Sequence, residues 1–384
     1  MPSRSTFLPE LESLRGIAIL LVFLYHADGL VVTGHAPGVW PNPATAYVRA
    51  GHVGVDLFFV LSGFLLAAPF LTEIEGGRRV SVARYFERRV LRIMPAYTLA
   101  VLAAAALTAR APHDLLRAAP YLLFLQSLPG LTHPLLPYSI PWWSLATEVQ
   151  FYLVLPLATL ARSPRLRWLL LAMLAGWAAA LGSYLLHWWR ASSILHDMLL
   201  RSSFFGRGPV FLCGVAAAWL HRHWGPVVAR RLRASPWALA GGADAMLAVL
   251  LLGLGALLGW VAHTGPTVAD YGLRGAWHTI AGVLWAGVML LLLVAPLRSK
   301  PLFANELLGT VGRWSYSLFL IHLGVLHWAY DALVFPPRPD TQLGWTPGNV
   351  LTIAAVFAVS LAASALSYRV VERPFLEWKS HVAR

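Results

Sequence analysis

Charge is what this chain has least of. Only 12% of its 384 residues are Asp, Glu, Lys or Arg, about half the ~25% of an ordinary soluble domain. Cysteine is almost missing: Cys213 stands alone, which excludes an intramolecular disulfide framework and a cysteine-built zinc site. Its place in an apolar run reads as a small core residue. Lysine occurs only at 300 and 379, against 28 arginines, a bias that fits a GC-rich bacterial genome better than any chemistry. No internal repeat, low-complexity tract or second soluble domain is visible, and no metal-ligating cluster stands out. What fills the space is apolar: 58% of the residues are hydrophobic and the mean hydropathy is +0.63. A soluble fold has nowhere to hide that much apolar surface, so an integral membrane protein is the class that fits. The 17 Trp and 12 Tyr suit two interfacial aromatic belts.

Runs of membrane-spanning length occupy roughly 14–33, 52–71, 90–109, 143–161, 167–189, 208–221, 238–261, 275–296, 314–330 and 349–371. They predict an all-α membrane protein of about ten transmembrane helices, forming a single membrane domain over 1–384 with no appended soluble domain. The shorter run 115–128 carries Arg117 and Pro120 and reads as a re-entrant or interfacial piece. The net charge of +13 could suggest nucleic acid, but its distribution points to a bilayer. With ten spans and an inner N-terminus, 22 of the 30 basic residues fall on cytoplasmic segments, as the positive-inside rule requires. Both termini are therefore expected in the cytoplasm, and no nucleic-acid partner is expected. A cleaved signal peptide is disfavoured because Glu10 and Glu12 sit where a basic region belongs.

Ionisable residues inside such runs are expensive and are functional candidates by default. Arg15 and His26 are eleven residues apart, almost three whole turns, which puts both on one helix face about 16 Å apart along the axis. An interfacial anchor plus a helix-packing histidine is the plainer reading of that pair. Asp56, in "GVDLFFVLSGFLL", is a candidate either for catalysis or for an ion pair that orients a neighbouring helix; Ser62 and Gly63 read as close-approach residues. "RYFERRVLRIMPAY" sends Arg89 and Arg92 along one face beside Arg88. Such a run is usually a headgroup-binding stop signal, but its density also suits bidentate phosphate binding. "PWWSLATEVQFYLVLP" places Trp143, Glu148, Gln150 and Tyr152 on one span, with His26 or Arg207 as the expected partner of Glu148. "SYSLFLIHLGVLHW" carries Tyr316 nearer the inner side and His322 at mid-depth.

Taken in order, "LESLRGIAILLVFLYH", "GVDLFFVLSGFLL", "RRVLRIMPAY", "WSLATEVQFYL" and "SYSLFLIH" resemble the successive signatures of the acyltransferase 3 family. These are membrane O-acyltransferases that modify glycans, peptidoglycan, lipids or natural products such as macrolides. The resemblance covers most of the chain. It maps the family's Arg-x10-His pair onto Arg15 and His26, its Arg-x-x-Arg pair onto Arg89 and Arg92, and its recurrent glutamate onto Glu148. Glu12 stands where the family has Asp, and Val149 where it has a second acidic residue, so no role is carried to either position.

The resemblance implies acyl-CoA, most often acetyl-CoA, as a co-substrate rather than a tightly bound cofactor. It also implies a hydroxyl-bearing acceptor (a glycan, a lipid-linked sugar or a macrolide-like product) and a multi-pass protein of the bacterial cytoplasmic membrane. His26 is then expected as general base or transient acyl carrier, with Glu148 orienting it and Asp56 competing for that place. Arg15, Arg89, Arg92 and Arg88 are expected on the CoA, and Tyr316, His322, Trp143, Gln150 and Tyr152 around the substrate cavity. The competing expectation is a transporter or flippase of a lipid-linked glycan, using the same buried charges without acyl chemistry.

Overall fold

The computed structural model describes residues 8–32, 43–128, 135–187, 200–264, 276–333 and 345–382. Among them every regular element is helical and no strand occurs. In chain order the main helices are α1 (Pro9–Ala27), α2 (Val53–Ile74), α3 (Val82–Thr108), α4 (Trp143–Val154), α5 (Pro164–His187) and α6 (Phe204–Ala234). They are followed by α7 (Ala243–Thr264), α8 (Trp277–Val294), α9 (Glu306–Arg313), α10 (Ser315–Leu333), α11 (Pro347–Ser367) and α12 (Arg373–Val382).

Local chemistry sets several of the starts. Pro9 opens α1 with Glu10 and Glu12 in its first turn, where a missing N–H does no harm and negative charge meets the helix dipole. Ser81 caps α3 by accepting from the Arg84 N–H, and Thr346 caps α11 by accepting from the Asn349 N–H. Each hydroxyl satisfies a backbone donor that the helix itself cannot.

Eight helical stretches among the described residues are long and apolar enough to cross a membrane, and the chain is an all-α integral membrane protein. The runs predicted at 208–221 and 314–330 are not among those eight. They lie in α6 and α10, helices of 31 and 19 residues; arginines and histidines dilute the apolar content of α6, and two histidines and Asp331 that of α10. All ten predicted runs therefore coincide with helices, although their ends at 33, 188–189 and 275 lie outside the described residues. Beyond the run 208–221, the arginines at 222, 230, 231 and 233 ride on the continuation of α6 to Ala234.

The run 115–128 does not span. It forms a short 3-10 turn, Pro112–Arg117, and a five-residue helix, Ala118–Leu122. It folds back on α3, where Tyr97 donates to the Tyr121 carbonyl at 3.2 Å and stacks on Phe124.

Enclosure differs sharply along the chain. Of the apolar window of α2, 72% is buried inside the protein, against 6% for α5, so α2 is central and α5 faces lipid. α2 packs against α1, α6 and α8. Its contact with α6 depends on two facing glycines. A Cβ on Gly63 would collide with the Phe211 carbonyl, and one on Gly214 with the Val60 carbonyl. Small residues of this kind let membrane helices approach closely. Gly63→Val is therefore expected to prise α2 from α6 and abolish the folded, detergent-stable protein. A melting curve like that of the native chain would contradict this packing.

Candidate active site

A partly open cavity of about 120 Å³ lies where α1, α2, α3, α4 and α10 converge. Its polar wall contains Arg15, Arg89, Arg92, Glu148, Ser62 and the two tyrosines Tyr152 and Tyr316. Three helices supply the cations and the carboxylate, so the cluster exists only in the folded bundle. Arg89 and Arg92 share a face of α3 because three residues make nearly a full turn. Arg88, turned about 100° from Arg89, is exposed and does not line the cavity; its expected place beside them is corrected.

Two of the guanidiniums, those of Arg89 and Arg92, lie against aromatic rings. Arg89 sits 6.0 Å from the Tyr85 ring and 5.9 Å from that of Tyr152, and Arg92 lies 5.9 Å from the Tyr316 ring, distances at which cation–π attraction operates. The Tyr316 hydroxyl donates to the Ile93 carbonyl at 2.8 Å, which fixes the ring between α10 and α3. The Nε atoms of Arg15 and Arg89 are buried with no hydrogen-bond partner among the described residues. Buried donors of this kind are normally satisfied, so two unpaired guanidinium nitrogens on residues that line the cavity suit an acceptor-rich ligand.

Glu148 lines the same cavity, and its Oε1 accepts from the Ser62 hydroxyl at 2.5 Å. The partner expected from the sequence was His26 or Arg207. Ser62 takes that position because α2 and α4 meet there, and it acts as a polar link as well as a small residue.

The place beside His26 belongs to His322. Their rings lie 5.1 Å apart, with His322 Nε2 at 3.1 Å from His26 Nδ1. The neighbouring carbonyls favour one set of proton positions. His322 Nδ1 faces the Leu318 and Phe319 carbonyls at 2.9 and 3.0 Å, and His26 Nδ1 faces the Val22 carbonyl at 2.9 Å. A carbonyl only accepts, so both Nδ1 atoms carry hydrogen. His322 Nε2 then accepts from His26, and the lone pair of His26 is left on Nε2. That is the arrangement of an oriented base, in which a second group fixes the tautomer.

Neither histidine lines the cavity, but they start one aromatic layer away. Phe58 and Phe319 both face the cavity and meet edge-on at 6.4 Å, and the Phe319 ring is 6.1 Å from that of His322.

The other predicted residues divide in the same way. Tyr152 and Tyr316 line the cavity. Gln150 does not, because its side-chain oxygen accepts from the Phe204 N–H at 2.7 Å and so caps the start of α6. Trp143 packs on Phe59 and lies under Arg207, 5.3 Å from that guanidinium. Asp56 bonds His278 at 2.8 Å and Arg207 at 3.4 Å. This buried triad ties α2 to α6 and α8, which is the helix-orienting alternative, and leaves Asp56 engaged away from His26. Paired in this way, the buried charges are tolerated.

Sequence reading missed Glu372, whose Oε2 is 3.7 Å from Arg92. The one signal available was an acid between arginines in "YRVVERPF", just beyond the last apolar run.

A polytopic helical bundle with cations, a carboxylate and an oriented histidine pair enclosed within it fits a membrane-embedded transferase. Residues 8–369 match the family model described as an acyltransferase domain, and the chain belongs to that family. It is 24% identical over 97% of its length to a Staphylococcus aureus (strain MRSA252) protein provisionally named an O-acetyltransferase, covering 59% of that protein. It is 23% identical over 96% of its length to the peptidoglycan O-acetyltransferase OatA of Listeria monocytogenes, covering 56% of it. A shorter match, 26% identical over 39% of this chain and 24% of the relative, is to the O-acetyltransferase OatA of Staphylococcus aureus strain NCTC 8325. The chain thus spans little more than half the length of the curated relatives that match it end to end. No solved structure matches it.

Proposed function

We propose that this chain is an O-acyltransferase of the bacterial cytoplasmic membrane, with both termini inside. It moves an acyl group, most often acetyl, from cytoplasmic acyl-CoA to a hydroxyl of a glycan, a lipid-linked sugar or a natural-product acceptor. The observation that carries the reading is the convergence of Arg15, Arg89 and Arg92 on one cavity beside an oriented histidine pair. Coenzyme A is a polyanion on a long uncharged arm. Guanidiniums hold phosphates in bidentate fashion, and the arm is long enough to carry the thioester past Phe58 and Phe319 toward His26.

In this scheme the acceptor hydroxyl gives its proton to His26 Nε2 as its oxygen attacks the thioester carbonyl. The tetrahedral intermediate then collapses with loss of the C–S bond, and the imidazolium of His26 returns the proton to the departing sulfur. His322 accepts from His26 Nδ1–H throughout, which keeps the ring aimed. Assistance of this kind is worth ~10²–10⁴-fold in rate. Glu148 offsets the three cations and keeps the cavity polar when no donor is bound.

The test is release of free CoA thiol by purified protein across acyl-CoAs of increasing length, with a panel of sugar, lipid and macrolide acceptors. Acceptor-dependent release, fastest with acetyl-CoA and matched by ester product, is expected. Movement of a labelled lipid-linked glycan across liposomes with no thiol release would overturn the reading in favour of a transporter.

A further inference from the structure

Glu372 belongs to neither the cavity lining nor the histidine pair, yet it is one of the most enclosed charged groups in the protein, with 2% of its surface exposed. It closes the π-turn Tyr368–Glu372 that joins α11 to α12. Its two oxygens are treated differently. Oε1 accepts from the Ser317 hydroxyl at 2.5 Å, and Ser317 in turn contacts the Ser367 hydroxyl at 2.9 Å. Oε2 has no hydrogen-bond partner among the described residues and faces Arg92 Nη1 at 3.7 Å.

That distance is informative. A carboxylate and a guanidinium in a tight fork lie at about 2.7–2.9 Å, which would commit the arginine to its partner. At 3.7 Å the Coulomb attraction persists while the N–H groups stay unspent. The carboxylate therefore aims the guanidinium without capturing it. Tyr316 completes the seat: its ring is 5.9 Å from the Arg92 guanidinium, and its neighbour Ser317 is the residue that holds Glu372.

We propose that Glu372 is a positioning residue of the donor site, which holds Arg92 toward the cavity so that its guanidinium meets the anionic part of acyl-CoA. The inference rests on the reading of this cavity as the donor site. Electrostatics support it further. Three guanidiniums around so small a space repel one another when no donor is bound, and Glu148 alone faces them from the cavity wall. Glu372 supplies a second negative charge from behind Arg92, where it does not compete for the space the donor needs. It also couples the segment after the last span to the donor site. Loosening of that segment should weaken donor binding before it affects the chemistry at His26.

The experiment is calorimetric titration with CoA itself, which needs no turnover, alongside kinetics with acetyl-CoA and melting in detergent. The proteins are the native chain, Glu372→Gln, Glu372→Asp, Arg92→Gln and the double variant Arg92→Gln/Glu372→Gln. Glu372→Gln is expected to weaken CoA about tenfold and raise KM by a similar factor with kcat within about twofold. Glu372→Asp should recover part of that loss. In the double variant Glu372→Gln should add little to Arg92→Gln, because most of its effect passes through that arginine.

Native CoA affinity in Glu372→Gln, or fully additive losses in the double variant, overturns the proposal. So does a joint fall of kcat, affinity and melting temperature in both Glu372 variants, which marks a purely structural anchor. If Glu372→Gln does not fold, the graded loss in Glu372→Asp carries the same test. Native affinity in Arg92→Gln instead overturns the donor-site reading itself, and the two failures are thereby distinguished.

Discussion

Replacing His26 with alanine is expected to stop acyl transfer while leaving the protein folded and its affinity for CoA unchanged. The expectation follows from what His26 touches. Among the described residues its ring bonds the Val22 carbonyl of its own helix and His322 Nε2, neither of which lines the arginine cavity. The loss falls on the chemical step. Without a base the acceptor hydroxyl must attack as the neutral alcohol, and the rate should drop by at least the ~10²–10⁴-fold that positioned proton transfer supplies. His322→Ala should cost less than His26→Ala, because the Val22 carbonyl still holds His26 Nδ1–H and preserves the tautomer. Acceptor-dependent thiol release by His26→Ala at a near-native rate would sink the mechanism.

The second large effect is expected at Arg15, and it should appear in binding. Arg15 lines the cavity, and its Nε has no hydrogen-bond partner among the described residues. Arg15→Gln removes a charge that the cavity offers to an anion. A hydrogen bond to a charged group is worth about 1.5–3 kcal/mol, so KM for acyl-CoA should rise roughly 10–100-fold at ~1.4 kcal/mol per decade. Arg15→Lys keeps the charge but loses the planar fork, and should recover only part of the loss. Direct CoA titration separates this from an effect on turnover. An unchanged CoA affinity in Arg15→Gln would remove Arg15 from the donor site.

The frame of the molecule is legible in the sequence because bilayer thickness sets the length of every apolar run. Local periodicity likewise places Arg89 beside Arg92 and carries His26 three turns above Arg15. The same periodicity turns Arg88 away from Arg89, so its exposure could have been derived from 100° per residue. The partners of the buried groups are another matter. His322 lies 296 positions from His26, and Ser62 lies 86 from Glu148; which helices touch is decided by bundle packing, on which spacing within a run is silent. Gln150 reads as a cavity residue from its span, yet it is spent on an N–H at the start of α6. Glu372 was invisible for a similar reason: its position beyond the last span looks like a solvated tail until α3 and α10 are seen to close over it.

The central claim is that one donor molecule joins the arginine cavity to the histidine pair. Its most direct test is a cryo-EM structure of the protein in a lipid nanodisc with a non-transferable thioether analogue of acetyl-CoA. The account predicts phosphate oxygens against Arg15, Arg89 and Arg92, an arm that displaces the Phe58–Phe319 contact, and the acyl-bearing end beside His26 Nε2. Phosphates held only by the exposed arginines, with the arm outside the bundle and the cavity empty, would contradict it.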